Sequence, residues 1–417
     1  MVSTQLSIVI LLVVLGAVSQ QRYSWVQKIT FLSAQTNQAK NQTEVNTYTT
    51  QATDRVDLGE FWQVWAQVEQ DYVEPEKVND RAMVDGAISG MVASLGDPYT
   101  MYLPPEDNAR SGEELAGSFS GVGIELGYIE NVLAVVAPLP GTPADKAGVQ
   151  AGDLILRVKD EAKNLDEETT GWSLNKAVEH IRGPKGTTVR LNLYRPDDKT
   201  KPEPFDVDLV RDEVVVKSVE LKVENIGGKK IANLKLIRFG GRTDGEWNSA
   251  VQTILQQKND LDGIVLDMRN NPGGYFDGAI EVASEFIPSG VVVTEKGKTK
   301  AQDFTASGKA RLQGLPLVVL VNKGSASASE IVAGALRDRL QTKLIGEKTF
   351  GKGTVQDRRE LGNGGGLHVT IARWLLPSGN WIHHEGLQVD VTVKDDATTV
   401  PDEALERAVR ELPARKS

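Results

Sequence analysis

Gly324-Ser-Ala-Ser-Ala-Ser-Glu330, followed after one short apolar run by Phe350-Gly-Lys-Gly-Thr-Val-Gln356, is the stretch on which the reading of this 417-residue chain turns. Leu317-Val-Val-Leu-Val321 leads into it as a continuous apolar run, and Val332, Leu336 and Leu340 follow at steps of four. A buried strand, a tight turn and a helix are therefore predicted, with Ser327 at the turn. Ser327 and Glu330 also make the S-x-x-E pattern of a capping box, in which both residues only satisfy N–H groups at the helix start. The same position sets a hydroxyl beside free N–H groups and the positive end of a helix, where an oxyanion is best stabilised.

A serine hydroxyl is a poor nucleophile until a base takes its proton. The four histidines, His180, His368, His383 and His384, carry no local signature of a Ser/His/Asp triad. Lys352 is the better base, held between two glycines that let the backbone fold tightly. From about 10.4 its pKa must fall by roughly three units, about 4 kcal/mol, through burial and a nearby helix N-terminus, so a dry pocket is expected. Gly346-x-x-x-x-Gly351-Lys352 also satisfies most of a phosphate-binding P-loop. That reading fails at the next position, where Gly353 stands in place of the Mg²⁺-binding Ser or Thr and the chain continues toward a strand.

Working outward, 40% hydrophobic and 25% charged residues place the chain in the ordinary globular range, and its length calls for several domains. A net charge of −10 argues against nucleic acid, whose affinity rests on Lys and Arg neutralising phosphates. The absence of cysteine excludes disulfides, thiolate catalysis and thiolate metal sites. Residues 1–19 hold an apolar run, Leu6–Val18, of signal-peptide length, with Ala17-Val18-Ser19 as a small-x-small cleavage pattern. Export to a periplasmic or other extracytoplasmic compartment is the expectation. No Lys or Arg precedes Leu6, so an uncleaved membrane anchor is the alternative.

Residues 20–55 read as a polar spacer. Residues 56–115 form a helical unit, with Leu58, Phe61, Trp65, Val68 and Tyr72, then Val84, Ile88, Met91, Val92 and Leu95, at helical spacing; such stripes are expected to be core, and the unit to serve packing or an interface. Over 116–212 the pattern changes to short strands and turns with one helix at Ser173–Ile181, an order that resembles a PDZ domain. In that family a glycine-rich loop offers N–H groups to a peptide's terminal carboxylate while the peptide adds as a strand; the matching loop here is Ser120-Gly121-Val122-Gly123-Ile124. Residues 199–230, charge-rich, read as a strand-and-linker passage. Over 213–400 strands and helices alternate, which predicts an α/β core with its site in the strand-end loops. Residues 401–417 predict a final helix whose Leu405, Val409 and Leu412 either meet a second copy, giving a homo-oligomer, or cover the chain's own core.

Together the two loops of the opening stretch resemble the C-terminal processing peptidases, or tail-specific proteases, Ser-Lys serine peptidases with an embedded PDZ domain. Gly324–Glu330, Gly346–Gln356, Leu95-Gly-Asp-Pro-Tyr-Thr100 and Leu266-Asp-Met-Arg-Asn-Asn-Pro-Gly-Gly274 carry the match. The resemblance implies a multidomain α/β protein with a crotonase/Clp-like catalytic core. It assigns Ser327 as nucleophile, Lys352 as base and Gln356 as the residue that orients the lysine. The N–H of Ala328 becomes one oxyanion donor and that of Gly273 or Gly274 the other. Arg182, at the end of the PDZ-like helix, is assigned the reporting of peptide occupancy to the core, and Arg269, Asn270 and Asn271 read as loop-shaping. The implied partners are protein C-terminal tails with apolar ends, with no cofactor or metal. The rival reading is a PDZ scaffold in which Ser327 is only a helix cap.

Overall fold

The computed structural model describes residues 56–196, 203–394 and 402–415, so the leader and the whole polar spacer lie outside the described residues. The chain divides into two units, residues 1–84 and 85–417.

In the first unit, helix Gly59–Asp71 is amphipathic as its spacing predicts but buries no residue. Leu58 is 48% exposed and Tyr72 47%, so the stripe expected to be core is not core among the described residues. Helical spacing makes an apolar face; it does not supply the layer that covers it. Of the second stripe only Val92 is buried.

The second unit is built on a six-stranded sheet. A hairpin of Val219–Ile226 and Lys229–Leu236 is followed by four strands in parallel, Gly263–Asp267, Leu317–Val321, Lys343–Gly346 and Val391–Thr392. Both faces are covered, which is why the central strands are apolar without alternation. Ile264, Leu266 and Val319 pack with helices Thr243–Gln256, Phe276–Ser284 and Ala328–Leu340. Val265, Val318 and Leu320 pack with Leu405, Val409 and Leu412 of helix Glu403–Glu411, so the final helix covers its own core. In a second, five-stranded sheet, Gly366–Leu375 pairs with Thr354–Glu360 as a hairpin and also with Met101–Leu103 and Val291–Gly297, the last pairing on to Ala301–Thr305.

The PDZ-like unit has its own core around Ile155, Val158, Leu191 and Leu193. Its sheet runs from Ile124–Ile129 at one edge to Phe205–Val210 at the other, with helix Leu174–Ile181 capped at Ser173. The chain enters through Ser118–Gly121 and leaves through Asp212–Val215, which pair with each other as a two-stranded ribbon. The passage read as strand and linker thus contains three strands, Phe205–Val210, Asp212–Val215 and Val219–Ile226.

Candidate active site

The fully buried strand Leu317–Val321 delivers the chain to a turn whose residue Ser327 has φ +56° and ψ −115°. A non-glycine residue there is strained, and the strain turns its side chain out of the helix start. Ser327 is half-buried and lines a cleft of about 1060 Å³. Its neighbours are not available: Ser325 and Ser329 are fully buried, and their hydroxyls donate to the Met268 carbonyl at 2.8 Å and to the Asn271 and Ala326 carbonyls at 3.0 and 2.8 Å.

Glu330 does more than cap. Its carboxylate, with no exposed surface, accepts the N–H groups of Ser327 at 2.8 Å, Gly351 at 2.7 Å and Lys352 at 2.9 Å, and the Thr349 hydroxyl at 2.5 Å. One buried group therefore ties the serine turn to the lysine loop. Burial pushes its pKa up, against the pull of those four hydrogen bonds. The capping-box reading caught the local half of this role; the other half joins residues about twenty positions apart and has no signature in sequence.

Lys352 lines the same cleft, in a loop that continues into strand Thr354–Glu360 and not into a helix, which disposes of the P-loop. Its two glycines do what their placement predicts. A Cβ on Gly351 would lie 2.8 Å from the Gly386 nitrogen, and one on Gly353 2.6 Å from the Trp381 indole nitrogen. The carbonyls of Lys352 and Gly353 accept the indole N–H groups of Trp374 at 2.9 Å and Trp381 at 2.7 Å. Burial lowers the pKa of the amine, while the charges of Asp97 and Glu330 oppose the shift.

The Pro272-Gly273-Gly274 turn faces the serine. A Cβ on Gly273 would stand 2.9 Å from that of Ser327 and 3.0 Å from the Ala328 nitrogen, so glycine leaves the Ala328 N–H open. A Cβ on Gly274 would fall 1.9 Å from the Phe239 carbonyl oxygen, against which this turn is pinned. The Gly273 N–H is already engaged by the Asn271 side chain at 2.9 Å. Among the described residues those of Gly274 and Ala328 have no partner. Asn271, fully buried, also donates to the Leu236 carbonyl at 2.8 Å, and Arg269 pairs with Asp267 and Asp402, as loop-shaping residues should.

Gln356 lines the cleft, but its amide donates to the hydroxyls of Thr354 at 2.9 Å and Thr370 at 3.1 Å and makes no hydrogen bond with Lys352. Arg182 lines it too, its guanidinium 4.1 Å above the Phe119 ring of the ribbon; burial lowers its pKa against the charges of Glu114 and Glu113. His368 lies in the cleft with a buried, unpartnered Nε2, whereas His383 accepts the Gly353 N–H at 3.2 Å and His180 belongs to the PDZ-like helix. In the PDZ-like unit the Val122 and Gly123 N–H groups have no partner among the described residues, Gly121 ends the ribbon, and Ile124 opens a strand whose outer edge is free.

Residues 230–393 match the profile of peptidase family S41, residues 112–194 that of the PDZ domain, and residues 13–107 that of the activating protease CtpB N-terminal domain. The chain is 36% identical over 330 residues to the carboxy-terminal processing protease CtpA of Bacillus subtilis, covering 78% of this chain and 67% of that one. With the carboxy-terminal-processing protease of Bartonella bacilliformis it shares 38% over 344 residues, 81% and 75% of the two chains. A probable CtpA-like serine protease of Staphylococcus aureus is 37% identical over 344 residues, 82% of this chain and 66% of that one. This chain therefore spans about two thirds of the length of the Bacillus and Staphylococcus relatives. Among solved structures, the photosystem II D1 C-terminal processing protease aligns with a TM-score of 0.50 and 31% identity, over 83% of this chain and 95% of that one. A putative S41 protease from Bacteroides fragilis shares the fold with a TM-score of 0.53 at 16% identity, over 84% and 96%.

Proposed function

This chain belongs to the carboxy-terminal processing proteases, serine peptidases with an embedded PDZ domain, and from that premise we propose that it cleaves peptide bonds in protein C-terminal tails, with Ser327 as nucleophile and Lys352 as general base. The observation that carries the reading is selective access: of three neighbouring serines only Ser327 opens onto the cleft that the half-buried Lys352 shares. Neutral Lys352 takes the hydroxyl proton as Ser327 Oγ attacks the substrate carbonyl. The Ala328 and Gly274 N–H groups receive the oxyanion, Gly274 being preferred because Asn271 occupies the Gly273 N–H. As the tetrahedral adduct collapses, the C–N bond breaks and Lys352 returns the proton to the leaving amine. Water, deprotonated by the same amine, then releases the acyl group from Ser327.

The tail is recognised by adding to the free edge of Ile124–Ile129, its carboxylate at the Gly121-Val122-Gly123 loop. Arg182, which lines the catalytic cleft from the end of the PDZ helix, reports occupancy to the core. The proposal includes export directed by residues 1–19, with retention as a membrane anchor read from the N-terminus of the mature protein, and self-association read from its mass in solution.

Ser327→Ala and Lys352→Ala are each expected to abolish cleavage of an unfolded protein ending in alanine, valine and leucine. Undiminished cleavage by either variant sinks the Ser-Lys reading. No cleavage by the parent favours a PDZ scaffold, and a loss on His368→Ala with Lys352→Ala active points to a histidine base.

A further inference from the structure

Leu95-Gly-Asp-Pro-Tyr-Thr100 carries part of the family resemblance, yet it lies about 230 residues before the serine, and the mechanism above gives it no role. Gly96, at φ +69°, turns the chain after helix Asp80–Ala93, and the Asp97 carboxylate accepts the Tyr99 N–H at 3.0 Å and the Thr100 hydroxyl at 2.7 Å. The buried Thr100 Oγ1 accepts the Thr370 N–H at 3.0 Å, fixing the turn to strand Gly366–Leu375. Tyr99 then lines the catalytic cleft with its ring centroid 5.0 Å from the Lys352 amine, inside the range of a cation–π contact.

We propose, building on the Ser-Lys reading, that Asp97 and Tyr99 are positioning residues that seat the Lys352 amine, and that Gln356 acts on the lysine through them. The Gln356 amide donates to Thr370 Oγ1 at 3.1 Å, the Thr370 N–H donates to Thr100 Oγ1 at 3.0 Å, and the Thr100 hydroxyl donates to the Asp97 carboxylate at 2.7 Å. That relay accounts for a residue expected to orient the lysine that makes no hydrogen bond to it. Tyr99 offers the ammonium a ring face and Asp97 a counter-charge, so the amine has a fixed resting place on the cleft wall.

The seat also sets the proton affinity of the base. The groups that bear on the amine are Asp97 and Tyr99 from this turn, Glu330 from the serine helix and His368 from strand Gly366–Leu375, with His383 behind Tyr99 at 6.0 Å between ring centroids. Burial lowers the pKa of Lys352, and Asp97 is the first of the two charges that hold it up. Burial would raise the pKa of Asp97, but the hydrogen bonds from Thr370, Thr100 and the Tyr99 N–H, with His383 nearby, bring it below the usual carboxylate value, so it stays ionised at neutral pH.

The test is the pH dependence of kcat/KM on the same unfolded substrate. Activity that needs neutral Lys352 rises with pH through the lysine pKa. Asp97→Asn keeps an oxygen for the Tyr99 N–H while removing the charge, so that rise is expected to move about one unit toward lower pH, with kcat down about tenfold and KM nearly unchanged. Tyr99→Leu loses about tenfold in kcat, and Tyr99→Phe, which keeps the ring face, restores most of that loss. An unmoved pH limb in Asp97→Asn overturns the seat, as does equal activity of the Leu and Phe variants at position 99. The Tyr99 pair decides alone if Asp97→Asn fails to fold. An active Lys352→Ala variant would instead overturn the Ser-Lys reading on which the seat rests.

Discussion

Glu330 in the catalytic core and Asp160 in the PDZ domain are two carboxylates equally removed from water, and the molecule treats them in opposite ways. Asp160 meets the fully buried Arg211 guanidinium at 2.5 Å and accepts the N–H groups of Ala162 and Lys163. Burial alone would raise its pKa, but the Arg211 hydrogen bond and charge carry it below the usual carboxylate value. Glu330 has neutral donors only, and burial leaves its pKa raised. The PDZ domain uses its buried charge as a lock: Arg211 also holds the Ile181 carbonyl at 2.9 Å, fixing the end of the helix that leads to Arg182. The core gives its carboxylate no cationic hydrogen-bond partner, a cost in stability accepted where the lysine loop and the serine turn must be held together.

The largest break in this comparison is Asp160→Ala, which strands the Arg211 charge. It is expected to cost about 3–5 kcal/mol and to melt the PDZ domain ahead of the core in urea. The core keeps its own hydrophobic cluster, so acylation of Ser327 by a small activated ester should survive. A single transition for the whole chain, or loss of acylation, would show that the two cores are not separately stable.

Glu330→Gln comes next, at about 1–3 kcal/mol, because each carboxylate oxygen accepts two of the four donors and the new NH₂ group faces one of these pairs. Loosening the lysine loop is expected to lower kcat about a hundredfold. The pH dependence carries opposite signs at the two sites. A raised folded-state pKa at Glu330 means that the folded protein takes up the proton first, so acidification from that value down to the unfolded carboxylate value adds stability. Asp160 contributes stability that is full above the unfolded value and is lost as pH falls through its lowered folded value. Urea melts from about pH 3 to 7 should show the acid-side gain vanish in Glu330→Gln and the acid-side loss vanish in Asp160→Asn.

The same contrast explains what could be read in the sequence. The strand-turn-helix around Ser327 was legible because its signals are local: a five-residue apolar strand, then apolar residues at helical steps. The choice of Ser327 over Ser325 and Ser329 rested on resemblance, since the burial that separates them is tertiary. Glu330 looked like a cap and Gly96-Asp97-Pro98 like a turn, because their partners at Lys352 lie far along the chain. The hairpin of Val219–Ile226 and Lys229–Leu236 had a signal that the charges obscured, namely Gly227-Gly228, both with φ positive, between two alternating runs. The aromatic stripe of Gly59–Asp71 shows the converse, a clear period whose burial did not follow.

The smallest expected effects set one hydroxyl of the core against one ammonium of the PDZ domain, both spent on backbone carbonyls. Ser329→Ala removes hydrogen bonds to Asn271 and Ala326 behind the serine and should cost about 1 kcal/mol. The loss falls on the Pro272-Gly-Gly turn that Asn271 supports, so kcat should drop while tail affinity stays. Lys163→Met frees the carbonyls of Glu179 and Arg182, which its amine holds at 2.6 Å each at the end of the PDZ helix. A cation at a helix C-terminus is worth about 0.3–1 kcal/mol, and the amine is exposed, so stability should hardly move. Tail binding should weaken instead, because that helix walls the groove beside Ile124–Ile129. Calorimetric titration of an apolar-ended peptide and single-turnover acylation, run on both variants, separate the two. If Lys163→Met lowers the acylation rate with no tail bound, the end of the PDZ helix already acts on Ser327 in the free enzyme, and the division between a binding region and a reacting one fails there.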